Sequence, residues 1–142
     1  MITLLEKQIP PLHLWTTSQY EQMAISGVLK PEEKQELVGG IVYERKPQSS
    51  PHSTGISAVE ALLATIMPNG MYRKTQMPLR LGDRSMPEPD IAIVEGSFRD
   101  FEKNHPTTAT LASEVRDTTL RFDRSEKLSL YASQRTLLNT GF

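Results

Sequence analysis

The apolar residues between positions 53 and 67 recur every three or four positions. The apolar positions with this spacing are Ile56, Val59, Leu62, Leu63 and Ile66. This is the spacing of one face of an α-helix, so the pattern predicts a helix over residues 53–67. Pro68-Asn69-Gly70 follows directly and predicts the end of that helix.

Short apolar runs elsewhere predict strands. Residues 91–94 form a continuous β-branched run, typical of a strand buried on both faces. Residues 109–115 predict another strand. Apolar residues flank Gly39-Gly40 within 36–46 and predict a β-hairpin, because glycine readily adopts the positive φ angles of tight hairpin turns. Residues 71–81 predict two short strands or one bent strand.

The rest of the chain adds helices and loops, so that the predicted order is helix, strands, strand, strand, helix. The remaining predictions are an extended arm over 1–15, helices over 19–26 and 120–134, a surface loop with a helical turn near Phe98 over 95–108, and no element over 135–142. The order predicts a single α/β domain over 1–142. We expect a mixed central β-sheet flanked by helices, with an N-terminal helix and hairpin.

Composition excludes several classes of protein. The net charge of −1 argues against a protein that coats DNA without sequence preference, because phosphate neutralisation needs a basic surface. The absence of cysteine excludes disulfides, zinc–thiolate sites and cysteine nucleophiles. Residues 1–15 have no continuous signal-peptide core, and residues 56–67 are too short and too polar to span a bilayer. We therefore expect a cytoplasmic protein.

Two carboxylates fall at the ends of predicted strands. Asp90 immediately precedes the run 91–94, and Glu114 lies near the end of the next strand, where the Val115 carbonyl follows. Mg²⁺ prefers such oxygen ligands, and a lysine such as Lys127 on the following helix could orient an attacking water. The residues alone nevertheless favour simpler interpretations: Asp90 in a turn, and Lys127 in an exposed ion pair with Asp123. Likewise they favour a solvated strand position for Glu36.

Taken in order, these pieces resemble the PD-(D/E)xK nuclease signature. More specifically, the chain resembles a large bacterial family of restriction-endonuclease-like proteins of unassigned role. The matching pieces are residues 36–43, His52 at the start of a helix, 78–81, 87–94, 112–115, 123–127 and Tyr131-Ala132. Each piece alone is weak, but their order over residues 16–133 makes a fairly specific match.

The resemblance implies a restriction-endonuclease-like fold and a metal-dependent endonuclease acting on DNA. It implies that Asp90, Glu114 and the Val115 carbonyl bind Mg²⁺, or alternatively Mn²⁺. Lys127 is then the residue that polarises the attacking water, and Glu36 is a further metal ligand or water-binding residue. A homodimer is the simplest way to cut both strands of a duplex.

The chain departs from the family pattern in two places. The simplest signature has lysine at the position of Arg116, whose guanidinium cannot act as a base but can bind a phosphate. Family members also usually continue beyond the second helix into further strands, so we expect a chain truncated at its C-terminus. Two alternatives therefore remain: a catalytically inactive nuclease-fold module that binds nucleic acid or a protein, and another two-carboxylate hydrolase such as a glycosidase. His52 is a possible supporting residue behind the metal ligands.

Overall fold

The protein combines helices and strands, as the sequence predicts. The structure is a computed structural model and describes residues 10–45, 50–114, 130–131 and 137–139, the last three and His52 by backbone alone. In chain order the elements are α1 (Thr17–Ile25), β1 (Gln35–Val38), β2 (Ile41–Glu44), α2 (Ser50–Ile66), β3 (Met71–Thr75), β4 (Ile91–Glu95), a 3₁₀ turn (Phe98–Phe101), β5 (Leu111–Ser113) and β6 (Leu137–Asn139). None of the described helices is long and apolar enough to cross a membrane.

The central sheet is mixed and has the strand order β3-β4-β5-β6. β4 runs antiparallel to both β3 and β5, whereas β6 runs parallel to β5. In this register Ala92 of β4 lies between Lys74 of β3 and Ala112 of β5. The predicted mixed α/β architecture is therefore confirmed. β6 lies within residues 135–142, where no pattern predicted an element.

Alternate residues of β4 point to opposite faces of the sheet, because successive side chains of a strand do so. On one face, the buried residues of β4 and α2 that pack together are Ile56, Val59, Leu63, Ile91 and Ile93. On the other face, the buried cluster is Leu79, Leu81, Ala92, Val94, Ala109, Ala112 and Tyr131. Both faces of β4 are covered, which explains its continuous apolar sequence. Burying each large aliphatic side chain contributes about 1.5–3 kcal/mol.

Several boundaries differ from the predictions. α2 begins at Ser50, and Pro51 lies in its first turn. Proline is tolerated there because the N–H groups of the first turn make no hydrogen bond within the helix. β3 ends at Thr75, and 76–81 form no further strand. Of the predicted helix over 120–134, only residues 130–131 are described, and these are helical. Within the predicted arm, residues 10–15 contain no helix or strand.

The β1–β2 hairpin turns through Gly39 and Gly40. Their φ angles of 60° and 84° are the positive values that a tight two-residue turn requires. On its outer edge, Leu37 exchanges backbone hydrogen bonds with Met86. This pairing attaches the hairpin to the segment that precedes β4, so that Glu36 and residues 88–90 become neighbours.

Alanine substitutions at the two turn glycines should have unequal effects. A Cβ at Gly40 would lie 2.7 Å from Leu14 Cβ and 3.2 Å from the Trp15 carbonyl oxygen, whereas a Cβ at Gly39 would meet no atom within 4 Å. We expect Gly39→Ala to lower the free energy of unfolding by about 1–2 kcal/mol through backbone strain alone. Gly40→Ala should lose a further 1–3 kcal/mol, roughly, through the clash. Urea unfolding measures both, and equal losses would contradict the contact with residues 14–15.

Candidate active site

Two of the predicted site residues meet at one end of the sheet. Asp90 immediately precedes β4 and Glu114 immediately follows β5. Because β4 and β5 are antiparallel, with Ile91 paired to Ser113, the start of one strand lies beside the end of the other. Both residues are buried: Asp90 is 2% exposed and Glu114 is 9% exposed. The sheet register therefore brings together the two carboxylates that the sequence singled out.

Glu36 of β1 belongs to the same cluster. It is 1% exposed, so the interpretation of Glu36 as a solvated strand residue is wrong. Its Oε1 accepts a hydrogen bond from the backbone N–H of Glu88 at 3.0 Å. The residue is buried because β1 docks against the segment around Met86, a contact that the local sequence does not reveal.

Arg45 lies at the centre of this acidic cluster. Its Nη1 donates to Glu88 Oε2 at 2.9 Å, its Nη2 lies 3.7 Å from Asp90 Oδ1, and its Nε lies 3.9 Å from Glu36 Oε2. We call Glu36, Arg45, Glu88, Asp90 and Glu114 the acidic cluster. Neither Arg45 nor Glu88 was among the predicted site residues. The sequence feature that could have indicated Glu88 is its position between Pro87 and Pro89, two residues before Asp90.

The charges in the acidic cluster are strongly coupled. Burial lowers the pKa of Arg45, but the surrounding carboxylates Glu36, Glu88, Glu114 and Asp90 more than offset this and raise the pKa above its ordinary value. Arg45 therefore stays charged. Burial raises the pKa of Glu88, although Arg45 opposes that shift. Three carboxyl groups thus lie within 4 Å of one guanidinium, and the charge of Glu114 acts on it as well.

Neighbouring groups hold the cluster in place. The Tyr131 hydroxyl donates to Glu114 Oε1 at 2.9 Å, and both residues are buried. Burial, followed by the charges of Glu114 and Glu36, raises the pKa of Tyr131 well above its ordinary value, so the hydroxyl remains a donor. On the other side, the Gln76 N–H donates to the Asp90 carbonyl at 3.0 Å. Tyr131 therefore positions the Glu114 carboxylate, and Gln76 fixes the backbone at Asp90.

The donor atoms fit Mg²⁺ better than a metal that needs a closed set of protein ligands. Across the described part of the chain, no three histidine or acidic side chains are grouped so as to hold a metal ion. Mg²⁺ usually takes one or two carboxylates and keeps several waters, so the pair Asp90 and Glu114 suits its chemistry.

Three predicted positions, Val115, Arg116 and Lys127, lie outside the described residues, as does the His52 side chain.

The mixed sheet, with helices on its faces and buried acids at one end, defines a restriction-endonuclease-like α/β domain. Residues 17–138 match the family model described as "Uma2: Putative restriction endonuclease", and the chain belongs to this family. The crystal structure of a "putative nuclease" from Anabaena variabilis is similar, with a TM-score of 0.62, 15% sequence identity, and coverage of 89% of this chain and 70% of that one. Because the two sequences are only 15% identical, this similarity establishes the fold and nothing further. No curated protein matches the chain.

Proposed function

We propose that this chain is a Mg²⁺-dependent endonuclease that hydrolyses DNA phosphodiester bonds. The observation that carries the proposal is the meeting of buried Asp90 and Glu114 at the end of the sheet where β4 begins and β5 ends. Membership of a family of restriction-endonuclease-like proteins supports the same activity. A two-fold dimer would present one such site to each strand of a duplex.

In this proposal Asp90 and Glu114 bind the metal through their carboxylates, together with the Val115 carbonyl. When bound, Mg²⁺ or Mn²⁺ neutralises charge on the scissile phosphate and lowers the pKa of a coordinated water. Lys127 orients the attacking water, and Glu36 binds a further water or metal ion. Tyr131 holds the Glu114 carboxylate in one orientation, because its hydroxyl donates to Oε1.

The second candidate is a catalytically inactive nuclease-fold module that binds nucleic acid or a protein partner. Arg45 favours it, because its guanidinium already supplies positive charge within 3.7 Å of Asp90. A module of this kind would keep the fold and the acidic cluster without needing a divalent ion.

Calorimetric titration with Mg²⁺ and with Mn²⁺ separates the two candidates. We expect the native protein to bind either ion, and Asp90→Ala and Glu114→Ala to abolish binding while circular dichroism shows that both stay folded. Asp83→Ala is the matched control, because Asp83 is exposed in a turn. If the native protein binds no divalent ion even with DNA present, the catalytic proposal fails and the binding-module candidate takes its place.

A further inference from the structure

The guanidinium of Arg45 faces a different carboxylate with each of its three nitrogens. Nη1 donates to Glu88 Oε2 at 2.9 Å, Nη2 lies 3.7 Å from Asp90 Oδ1, and Nε lies 3.9 Å from Glu36 Oε2. A planar guanidinium carries its donors in a rigid fork, which suits it to bridging carboxylates in this way. Arg45 is therefore the internal counter-ion of these three acids.

The β1–β2 hairpin fixes the backbone from which this charge extends. Arg45 immediately follows β2, and its backbone N–H donates to the Lys34 carbonyl at 2.7 Å, at the open end of the hairpin. The hairpin in turn pairs with the segment before β4 through Leu37 and Met86. With its backbone held in this way, the guanidinium can leave the carboxylates by rotation of its own side chain.

Asp90 is also a candidate metal ligand, so Arg45 and a divalent ion would share one carboxylate. The side chains of Asp90 and Arg45 are 2% and 14% exposed, so solvent and salt screen charges poorly here. A divalent ion held by Asp90 would be repelled by the nearby guanidinium, because like charges interact strongly where the dielectric is low. Each cation therefore lowers the affinity of this carboxylate for the other.

Arg45 can relieve that repulsion by moving but not by losing its proton. The surrounding carboxylates raise the pKa of Arg45 above its ordinary value, so the side chain stays charged. Glu88 gives the guanidinium a direction in which to move. Its side chain is 22% exposed, against 1% for Glu36 and 2% for Asp90, and it makes the shortest contact with Arg45. The guanidinium can thus swing outward while it keeps its hydrogen bond to Glu88.

We propose that Arg45 and the divalent ion compete for the carboxylates of the acidic cluster, so that the metal binds Asp90 as the guanidinium withdraws from it toward Glu88. The inference rests on the proposed nuclease function and adds to it a control on metal binding at the same site. Arg45 compensates the buried acids before the metal binds and lowers the metal affinity. The effect is reciprocal, because two ligands that weaken each other's binding do so by the same factor.

The variant Arg45→Met tests the competition, because it keeps the aliphatic stem and removes the charge. Calorimetric titration with Mg²⁺ and with Mn²⁺ gives dissociation constants for the native protein and for the variant, once circular dichroism shows that the variant is folded. We expect the variant to bind either ion about tenfold more tightly, within the usual range of about 5–150-fold for coupling between two ligands. The matched control is Arg99→Met, which removes an exposed arginine and should leave the dissociation constants unchanged.

A purely structural role for Arg45 predicts the opposite sign. If the guanidinium only positions the carboxylates, its removal loosens them and Arg45→Met binds the ions more weakly. That result, or equal affinities for the variant and the native protein, overturns the competition and leaves the nuclease proposal standing. If the variant binds divalent ions while the native protein binds none even with DNA present, the competition stands and the nuclease proposal fails. If neither protein binds an ion, both fail.

Nuclear magnetic resonance of the native protein gives a second measurement, which decides the matter alone if Arg45→Met does not fold. The ¹H–¹⁵N signal of the Arg45 Nε–H is assigned by its absence from the spectrum of Arg45→Lys. We expect this hydrogen to exchange with water faster in the metal-saturated protein, because the guanidinium has left its carboxylates. The Nε–H of Arg73, which lies 3.9 Å from Glu60 Oε1 of α2, is the internal control and should not change. An unchanged exchange rate at Arg45 overturns the inference.

Discussion

Replacing Arg45 by methionine should lower the free energy of unfolding by about 3–5 kcal/mol at neutral pH. The substitution keeps the aliphatic stem and removes the charge that faces Glu36, Glu88 and Asp90. Removing one partner of a buried ion pair leaves the remaining charges uncompensated, which is the source of losses of this size. Urea unfolding monitored by circular dichroism measures the change.

The loss should depend on pH in a defined direction. Burial raises the pKa of Glu88, and Arg45 is the group that opposes this shift, so without Arg45 the ionisation of Glu88 favours unfolding more strongly. The difference between Arg45→Met and the native protein should therefore be largest near neutral pH and shrink as the pH falls toward about 4, the ordinary range of carboxyl pKa values. A difference that stays constant over this range would show that Arg45 acts by packing alone.

Divalent ions provide a second readout of the same variant. If the acidic cluster is a metal site, Mg²⁺ should restore part of the lost stability, because an ion that binds only the folded state shifts the equilibrium toward it. Arg99→Met is the matched control: Arg99 is exposed, and its loss should change stability by less than about 0.5 kcal/mol. If the two variants lose the same free energy of unfolding, Arg45 does not stabilise the acidic cluster.

Asp90→Asn should reduce DNA cleavage by at least about 100-fold, the scale of losing one electrostatic contribution in an active site. The amide keeps the shape of the side chain but lacks the negative charge that would bind the metal. Nicking of supercoiled plasmid DNA in Mg²⁺ or Mn²⁺ measures the rate, and thermal unfolding shows whether the variant remains folded. The expected result is a folded protein without activity.

The control for this experiment is Asp83→Asn, at an exposed aspartate of the turn before Met86. It should cleave at the native rate. Activity of Asp90→Asn equal to that of the control would mean that any cleavage depends on a different site. Activity in neither the native protein nor the variants, with divalent ions bound, would favour the binding-module candidate.

The central strands of the fold were predictable because their signal is local. Residues 91–94 are apolar without interruption, and the structure covers both faces of β4. The two turn glycines predicted the hairpin for the same reason, since their positive φ angles are a property of the turn itself. β6 was not predictable, because three residues without a turn or a clear period carry too little information to distinguish a strand.

The sequence by itself determined the hairpin, the helix α2, the buried strand β4 and the identity of the two carboxylates at the ends of adjacent strands. Tertiary structure alone decided what surrounds them. Arg45 meets Glu88 across 43 positions of the chain only because the hairpin docks at Met86. Gln76 meets the Asp90 carbonyl only because β3 pairs with β4 in this register. The spacing of apolar residues in the sequence indicates which residues of one helix or strand are buried. Contacts between charged residues of distant segments depend instead on how the helices and strands pack together.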